Sequence, residues 1–219
     1  MTIKVIFFDF DGTIADTLNA FVNITNRLAV GFGYQPISPE EITHLKNLSS
    51  RQIIKQSGIP ILKFPFLISK IKSELNSEIQ TIKAFPGIKE TLIELRSQVD
   101  RIGILSSNSK DNIAAFLEIN DLHHLFDFIY TEAAIFSKSR AIKKILVQEK
   151  VKPEESIYIG DETRDIEAAK RSQVKAIAVT WGFNSKEILA AQNPDLLVER
   201  PSELVDAIAS LQQLEMLSR

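Results

Sequence analysis

Lys4-Val-Ile-Phe-Phe-Asp-Phe-Asp-Gly-Thr13 sets an apolar run, Val5 to Phe8, directly against two aspartates. A continuous apolar run of this length, rich in β-branched and aromatic residues, reads as a strand buried on both faces of a parallel sheet, because a half-solvated strand would alternate. The pattern recurs along the chain. Arg101-Ile-Gly-Ile-Leu105 runs into Ser106-Ser-Asn108, and Phe126-Asp-Phe-Ile-Tyr130 runs into Thr131-Glu132. Ser156-Ile-Tyr-Ile159 runs into Gly160-Asp161, and Lys175-Ala-Ile-Ala-Val179, read as the last strand, into Thr180. Between the runs, apolar residues take helical spacing: Ile88, Leu92 and Leu95; Ile113, Phe116 and Leu117; Ile142, Ile145 and Leu146. Strands alternating with helices predict an α/β fold, a doubly wound, Rossmann-like parallel sheet with right-handed crossovers. Ligands of such sheets bind beyond the carboxyl ends of the strands. The polar residues just quoted fall there.

The rhythm breaks over residues 17–83. This stretch carries only helix-like patterns, Phe21-Ile24-Leu28 and Ile68-Ile71-Leu75, punctuated by Pro36, Pro39, Pro60 and Pro65, before the turn signal Phe85-Pro86-Gly87. It is longer than one crossover needs. It is therefore expected to form a small α-helical cap domain, 17–83, inserted into an α/β core made of 1–16 and 84–219. Phe64-Pro65-Phe66 is expected in the cap's own interior.

Composition narrows the chemistry. The 219 residues hold 26 Lys plus Arg against 28 Asp plus Glu, a formal charge of −2, with no cysteine, three histidines and eight glycines. No cysteine means no disulfide framework, thiolate nucleophile or Cys-ligated metal. Balanced, dispersed charge gives no sign of a nucleic-acid face or a polybasic membrane patch. No apolar run approaches the roughly 18 residues that span a bilayer, and Asp9 interrupts the N-terminal run too early for a signal peptide. The expectation is a cytoplasmic globular protein without nucleic-acid or membrane partners, a monomer or small homo-oligomer. His123-His124 has no spaced third ligand and reads as surface or satisfied core; Trp181 reads as core.

Two acidic clusters carry the functional signal. Asp9 and Asp11, at spacing two, project to the same side of extended chain, and such close carboxylates become useful when a divalent cation neutralises them, since Mg²⁺ prefers hard oxygen ligands. Gly12 lets the chain turn. Gly160-Asp161-Glu162-Thr163-Arg164-Asp165 follows another strand and opens a helix, placing Asp161 at the strand tip and Asp165 in the first turn, where acidic groups suit the helix dipole. Two acidic clusters at two strand tips of one sheet point to a metal site.

These residues resemble the motifs of the haloacid dehalogenase-like superfamily of phosphatases and phosphomutases, in its phosphoglycolate phosphatase-like and β-phosphoglucomutase-like branch. Val5 to Thr13 matches the first motif position by position, Ser107-Asn108 resembles the second, Lys138 the third, and Gly160 to Asp165 the fourth. The resemblance covers essentially the whole chain, the insertion matching the helical cap. It implies Asp9 as nucleophile, forming an aspartyl-phosphate, and Asp11 as general acid and then base. It also implies Mg²⁺ held by Asp9, Asp11 (through its carbonyl), Asp161 and Asp165, with Lys138 and Ser107, Asn108, Gly12 and Thr13 around the phosphate. Ser106 is the rival to Ser107, and Lys143 and Lys144 are rivals to Lys138. The segment Leu45 to Gln52 resembles a substrate-facing cap loop, which makes Arg51 or Lys46 candidates for reading a remote anionic group. Ser137 and Gln173 stand where relatives often have glycine; a left-handed Gln173 would cost roughly 1 kcal/mol. The implied activity is Mg²⁺-dependent hydrolysis of a small phosphorylated metabolite, a phosphoglycolate-like monoester. The alternatives are a phosphomutase using the same motifs and a non-catalytic phosphate-binding module. A dehalogenase would not need the acid–base carboxyl of Asp11.

Overall fold

β1 (Val5–Phe8) lies near the middle of a six-stranded parallel sheet in a computed structural model that describes residues 3–131 and 137–217. Its neighbours are β2 (Arg101–Ser106) and β4 (Ser156–Gly160), with Val5 opposite both Arg101 and Ser156. β3 (Phe128–Thr131) extends the sheet on one side, β5 (Lys175–Val179) and β6 (Leu196–Val198) on the other, giving the order β3-β2-β1-β4-β5-β6. The strand order reverses direction at β1, which makes its carboxyl end the topological switch point where ligands of doubly wound sheets sit.

All four residues of β1 are buried, which explains its unbroken apolar run. Ile6 and Phe8 join the core under α5 (Ile88–Leu95), α6 (Lys110–Ile119) and α10 (Glu203–Leu217), while Val5 and Phe7 join a second core under α7 (Lys138–Gln148), α8 (Thr163–Arg171) and α9 (Lys186–Ala191). Each such fully buried side chain contributes about 1.5–3 kcal/mol. β6 was not anticipated, and Val179 does not end the sheet. Only three residues long, β6 pairs Leu196 to Val198 with Ile177 to Val179 at the sheet edge, and a strand that short has no readable period.

Between residues 17 and 83 the chain forms α1 (Leu18–Phe32), α2 (Pro39–Lys46), α3 (Ser50–Gln56) and α4 (Phe64–Glu78). Ser38 and Ser49 start α2 and α3 with reciprocal capping boxes to Glu41 and Gln52. α1 and α4 share a buried seam of Ile24, Leu67, Ile71 and Leu75. The two connections to the sheet pair with each other: Ala15 and Ala84 form an antiparallel bridge, with Asp16 N donating to Lys83 O at 3.0 Å and Phe85 N to Ile14 O at 3.0 Å. The expectation for Phe64-Pro65-Phe66 fails at Phe66, which is 71 % exposed. With Pro65 in the first turn of α4, Phe64 and Phe66 fall on nearly opposite sides of the helix.

Ser137, the residue before α7, has φ −101°, so no glycine is needed there. Gln173 has φ +59°. It closes α8 in a Schellman motif, its N–H donating to Lys170 O and that of Val174 to Ala169 O.

Candidate active site

The carboxyl ends of β1 and β4 bring three buried carboxylates together. Asp9 leaves β1, Asp161 leaves β4, and Asp165 sits in the first turn of α8; one oxygen from each lies within 4.8 Å of the others. Lys138, at the first position of α7, crosses from β3's side of the sheet and places Nζ 2.7 Å from Asp9 Oδ2 and 2.5 Å from Asp165 Oδ1. Its ammonium is 5.3 Å from the centre of the Tyr158 ring. Burial pulls the Lys138 ammonium down, but Asp165 and Asp9 outweigh it and hold the group above its ordinary value. Lys143 and Lys144, the rival lysines, are exposed on α7.

The remaining oxygens are held by backbone N–H groups and by the Thr13 hydroxyl. Phe10 N donates to Asp9 Oδ1 at 2.8 Å, and Glu162 N to Asp165 Oδ2 at 2.9 Å. Asp161 accepts from the Thr13 hydroxyl at 2.7 Å and from Phe183 N at 2.7 Å. Burial and the neighbouring carboxylates Glu162, Asp165 and Asp9 push Asp161 well up. Burial also raises Asp165, against the pull of Lys138. One ammonium among three buried acids leaves an excess of negative charge, and the donors are all hard oxygens. That set fits a small divalent cation such as Mg²⁺. Gly12 is required here: φ is +78°, and a Cβ would collide with Asp161 and Phe183.

Asp11 behaves differently. It faces a cavity of about 510 Å³ between the sheet and α1–α4. Burial and the Asp9 charge push its carboxyl up to about 7, against a hydrogen bond from Asn108. Asn108 Nδ2 donates to both Asp11 oxygens, at 3.1 and 3.0 Å. Asn108 Oδ1 in turn accepts from Asn112 Nδ2 at 2.9 Å, and Asn112 Oδ1 accepts from Asn76 Nδ2 of α4 at 2.6 Å. A chain of amides thus runs from Asp11 to the helical insertion.

Of the expected phosphate ligands, Ser107 lines the cavity, whereas Ser106 is buried with its hydroxyl accepting from Asn108 N at 3.0 Å. Three others are turned to different partners. Gly12 N donates to Ala15 O, the Thr13 hydroxyl is given to Asp161, and the Asn108 amide is given to Asp11. Arg51 and Lys46 do not line the cavity. Arg51 is exposed beside a small surface depression shared with Lys138, Arg164 and Arg171. The Lys46 carbonyl accepts from Ser185 N and from Asn184 Nδ2, which fastens this loop to the one after β5.

Two basic residues not anticipated do reach the cavity, Lys72 of α4 and Arg164 of α8. Arg164 Nε donates to Glu162 Oε1 at 2.9 Å, and Ser50 of α3 donates to Glu162 Oε2 at 2.8 Å. A signal for Lys72 was present: Phe64, Ile68, Lys72 and Asn76 form an i, i+4 row down one face of α4. Arg164 lies inside the quoted acidic motif. The loop after β5 was also undervalued. Trp181 packs against the core as expected, Nε1 donating to Thr13 O at 3.1 Å, but Phe183 reaches the cavity and meets Phe21 edge-on at 5.6 Å. His123 and His124 are exposed, and Asp121, already paired with Lys89, supplies the third group thought missing.

A doubly wound sheet whose switch point carries a buried lysine among three carboxylates, with a fourth carboxyl facing an open cavity, has the architecture of a hydrolase of the α/β class. The chain belongs to the haloacid dehalogenase-like hydrolase family, whose model matches residues 6–179, and it acts on phosphoric esters. Across 208 residues it is 40 % identical to a phosphoglycolate phosphatase of Synechococcus elongatus, covering 95 % of this chain and 98 % of that one. It is 24 % identical to the pyrophosphatase PpaX of Oceanobacillus iheyensis, covering 95 % and 98 %. A crystal structure from Clostridium acetobutylicum, described as a predicted phosphatase, superposes with a TM-score of 0.83 at 20 % identity, covering 96 % of this chain and all of that one, a likeness of fold. Among the described residues, no helix is long and apolar enough to cross a membrane.

Proposed function

We propose that this chain is a Mg²⁺-dependent phosphatase that hydrolyses a small phosphate monoester through an aspartyl-phosphate on Asp9, with residues 17–83 acting as a cap hinged at the Ala15–Ala84 bridge. The observation that carries the reading is the pairing of Lys138 Nζ with Asp9 Oδ2 at 2.7 Å beside Asp11, whose carboxyl is pushed up to about 7. One carboxylate is thus set among fixed positive charge while its neighbour, two residues on, readily keeps a proton. A nucleophile and a general acid need that division.

The residues perform the following steps. Asp9 attacks phosphorus as the bond to the leaving oxygen breaks, and Asp11 delivers its proton to that oxygen. Asp11 then takes a proton from water as the water attacks phosphorus and releases Asp9. Asn108 aims Asp11 throughout, and Ser107 and Lys138 hold the phosphoryl oxygens. Asp9 and Asp161 side chains and the Asp11 carbonyl would hold Mg²⁺, with Asp165 closing the site. When bound, the ion supplies positive charge to the phosphoryl oxygens. Uncatalysed monoester hydrolysis is among the slowest of reactions, with accelerations up to ~10²¹, so preorganised charge is expected to contribute most.

Phosphoglycolate is the first substrate to test, because the relative at 40 % identity is named for it. Purified protein with Mg²⁺ should release inorganic phosphate from it or from an aryl phosphate, and EDTA should stop the release until Mg²⁺ is restored. Absence of phosphate release from every ester would overturn the reading. Transfer within a sugar phosphate exceeding release to water would make the enzyme a mutase.

A further inference from the structure

The cavity over Asp11 is larger and more apolar than a glycolate leaving group requires. Its volume is about 510 Å³, within the roughly 300–1,000 Å³ of pockets that bury drug-sized ligands. Polar groups line the cavity from the sheet side at Asp11, Ser107 and Arg164, and from the cap at Glu41, His44 and Lys72. Its wall comes from the cap, where Phe21 of α1, Ile37 before α2, Ile53 and Ile54 of α3, and Phe64 and Ile68 of α4 all face the space. These six are only half-buried, although the α1–α4 seam beside them buries Ile24, Leu67, Ile71 and Leu75 almost completely. The cap therefore has a dry interior of its own and turns a second set of apolar side chains, Phe21, Phe64 and Ile68 among them packed on the core from behind, partly toward the space above the reacting carboxyl. The apolar surface they leave facing the cavity forgoes about 25 cal/mol per Å². A hydrocarbon placed there would recover that term.

We propose that the leaving group of the natural substrate carries an apolar hydrocarbon portion that fills this cavity, so that the substrate is an amphiphilic phosphate monoester with its phosphoryl head at Asp9 and Asp11. The proposal rests on the phosphatase reading for its head group; the wall of the cavity supplies the rest. Continuity decides the occupant, since Asp11 and Ser107 line the same space as Phe21, Ile54 and Ile68. A group esterified to the phosphoryl oxygen next to Asp11 has this space to enter.

The test is a homologous series of n-alkyl phosphates from ethyl to octyl, with phenyl phosphate as the ring counterpart and phosphoglycolate as the short polar reference. With wild-type protein and Mg²⁺, kcat/KM is expected to rise about two- to fourfold per methylene until the cavity is full; the upper figure corresponds to about 0.8 kcal/mol per buried methylene. Ile54→Asp should flatten that rise. Binding of the same series to Asp9→Asn, followed by calorimetry, gives a readout that needs no turnover. Turnover with no dependence on chain length, or with phosphoglycolate preferred over every longer ester, overturns the proposal and leaves the phosphatase reading standing. Affinity that rises with chain length without any turnover would keep the cavity as a hydrocarbon site but overturn the phosphatase reading, and with it the assignment of that hydrocarbon to a leaving group. A phenyl arm well above the alkyl arm would make the occupant a ring rather than a chain.

Discussion

The floor of the site and the cap wall above it solve opposite problems. On the floor, Asp9, Asp161, Asp165 and Lys138 are at most 5 % exposed, and each carboxylate oxygen named above has a donor aimed at it. Buried charge is tolerated only when it is paired and hydrogen-bonded in this way. The wall holds six half-buried apolar side chains that keep part of their surface toward the cavity. Rigidity on the floor suits chemistry that must hold reacting atoms within tenths of an ångström. An unfilled apolar wall suits selection of the group attached to phosphorus. The amide chain Asn76–Asn112–Asn108–Asp11 is one place where the two regions touch.

The largest effect is expected from breaking the floor at its one ammonium. Lys138→Met leaves Asp9 and Asp165 facing each other without the ammonium that bridges them, a loss of about 3–5 kcal/mol for a buried pair stripped of one partner. Measured on an aryl phosphate, kcat/KM should fall at least about a thousandfold. A fall below tenfold would mean that the lysine is not part of the chemistry. Next comes Thr13→Val, which removes the hydroxyl holding Asp161. Titrating activity with Mg²⁺ should show the half-saturating concentration rising about 10- to 100-fold. If Thr13 instead binds phosphate directly, KM for the ester would rise and the Mg²⁺ requirement would stay put.

The joint between floor and wall should yield a smaller change. Asn112→Ala unties Asn108 from the cap, and kcat should drop about tenfold, the worth of one hydrogen bond near 1.4 kcal/mol, with KM little altered. The smallest effect lies outside both regions. Gln173→Gly relieves a left-handed non-glycine residue and should raise stability by up to about 1 kcal/mol, about 2–4 °C in Tm, while leaving kcat unchanged. A loss of stability would show that Gln173 makes a compensating contact.

The contrast between the regions also explains what the amino-acid order disclosed. The floor was legible because its acids come in pairs close in sequence, Asp9 with Asp11 and Asp161 with Asp165, each set just after a strand. Lys138 was legible only by resemblance, since a lysine starting a helix is ordinarily solvated. The wall was not legible. Phe21, Ile54 and Ile68 lie on three helices, and nothing local distinguishes an apolar residue facing a cavity from one facing a core. Arg51 lies outside the cavity for a related reason: the capping box at Ser49 fixes where α3 begins, and Arg51 then borders the depression it shares with Lys138 and Arg164. Lys72 and Arg164 line the cavity itself. β6 escaped notice because three residues at a sheet edge carry no periodicity.

Everything proposed for the floor depends on a covalent bond between phosphorus and Asp9. Wild-type protein mixed with excess ester and Mg²⁺, quenched in acid within one turnover and digested, should yield a phosphorylated peptide spanning Val5 to Thr13, with the phosphoryl group on Asp9. The same peptide from Asp9→Asn should be unmodified, and that variant should not turn over. Turnover that survives Asp9→Asn, or a phosphoryl group found on any other residue, would contradict the assignment.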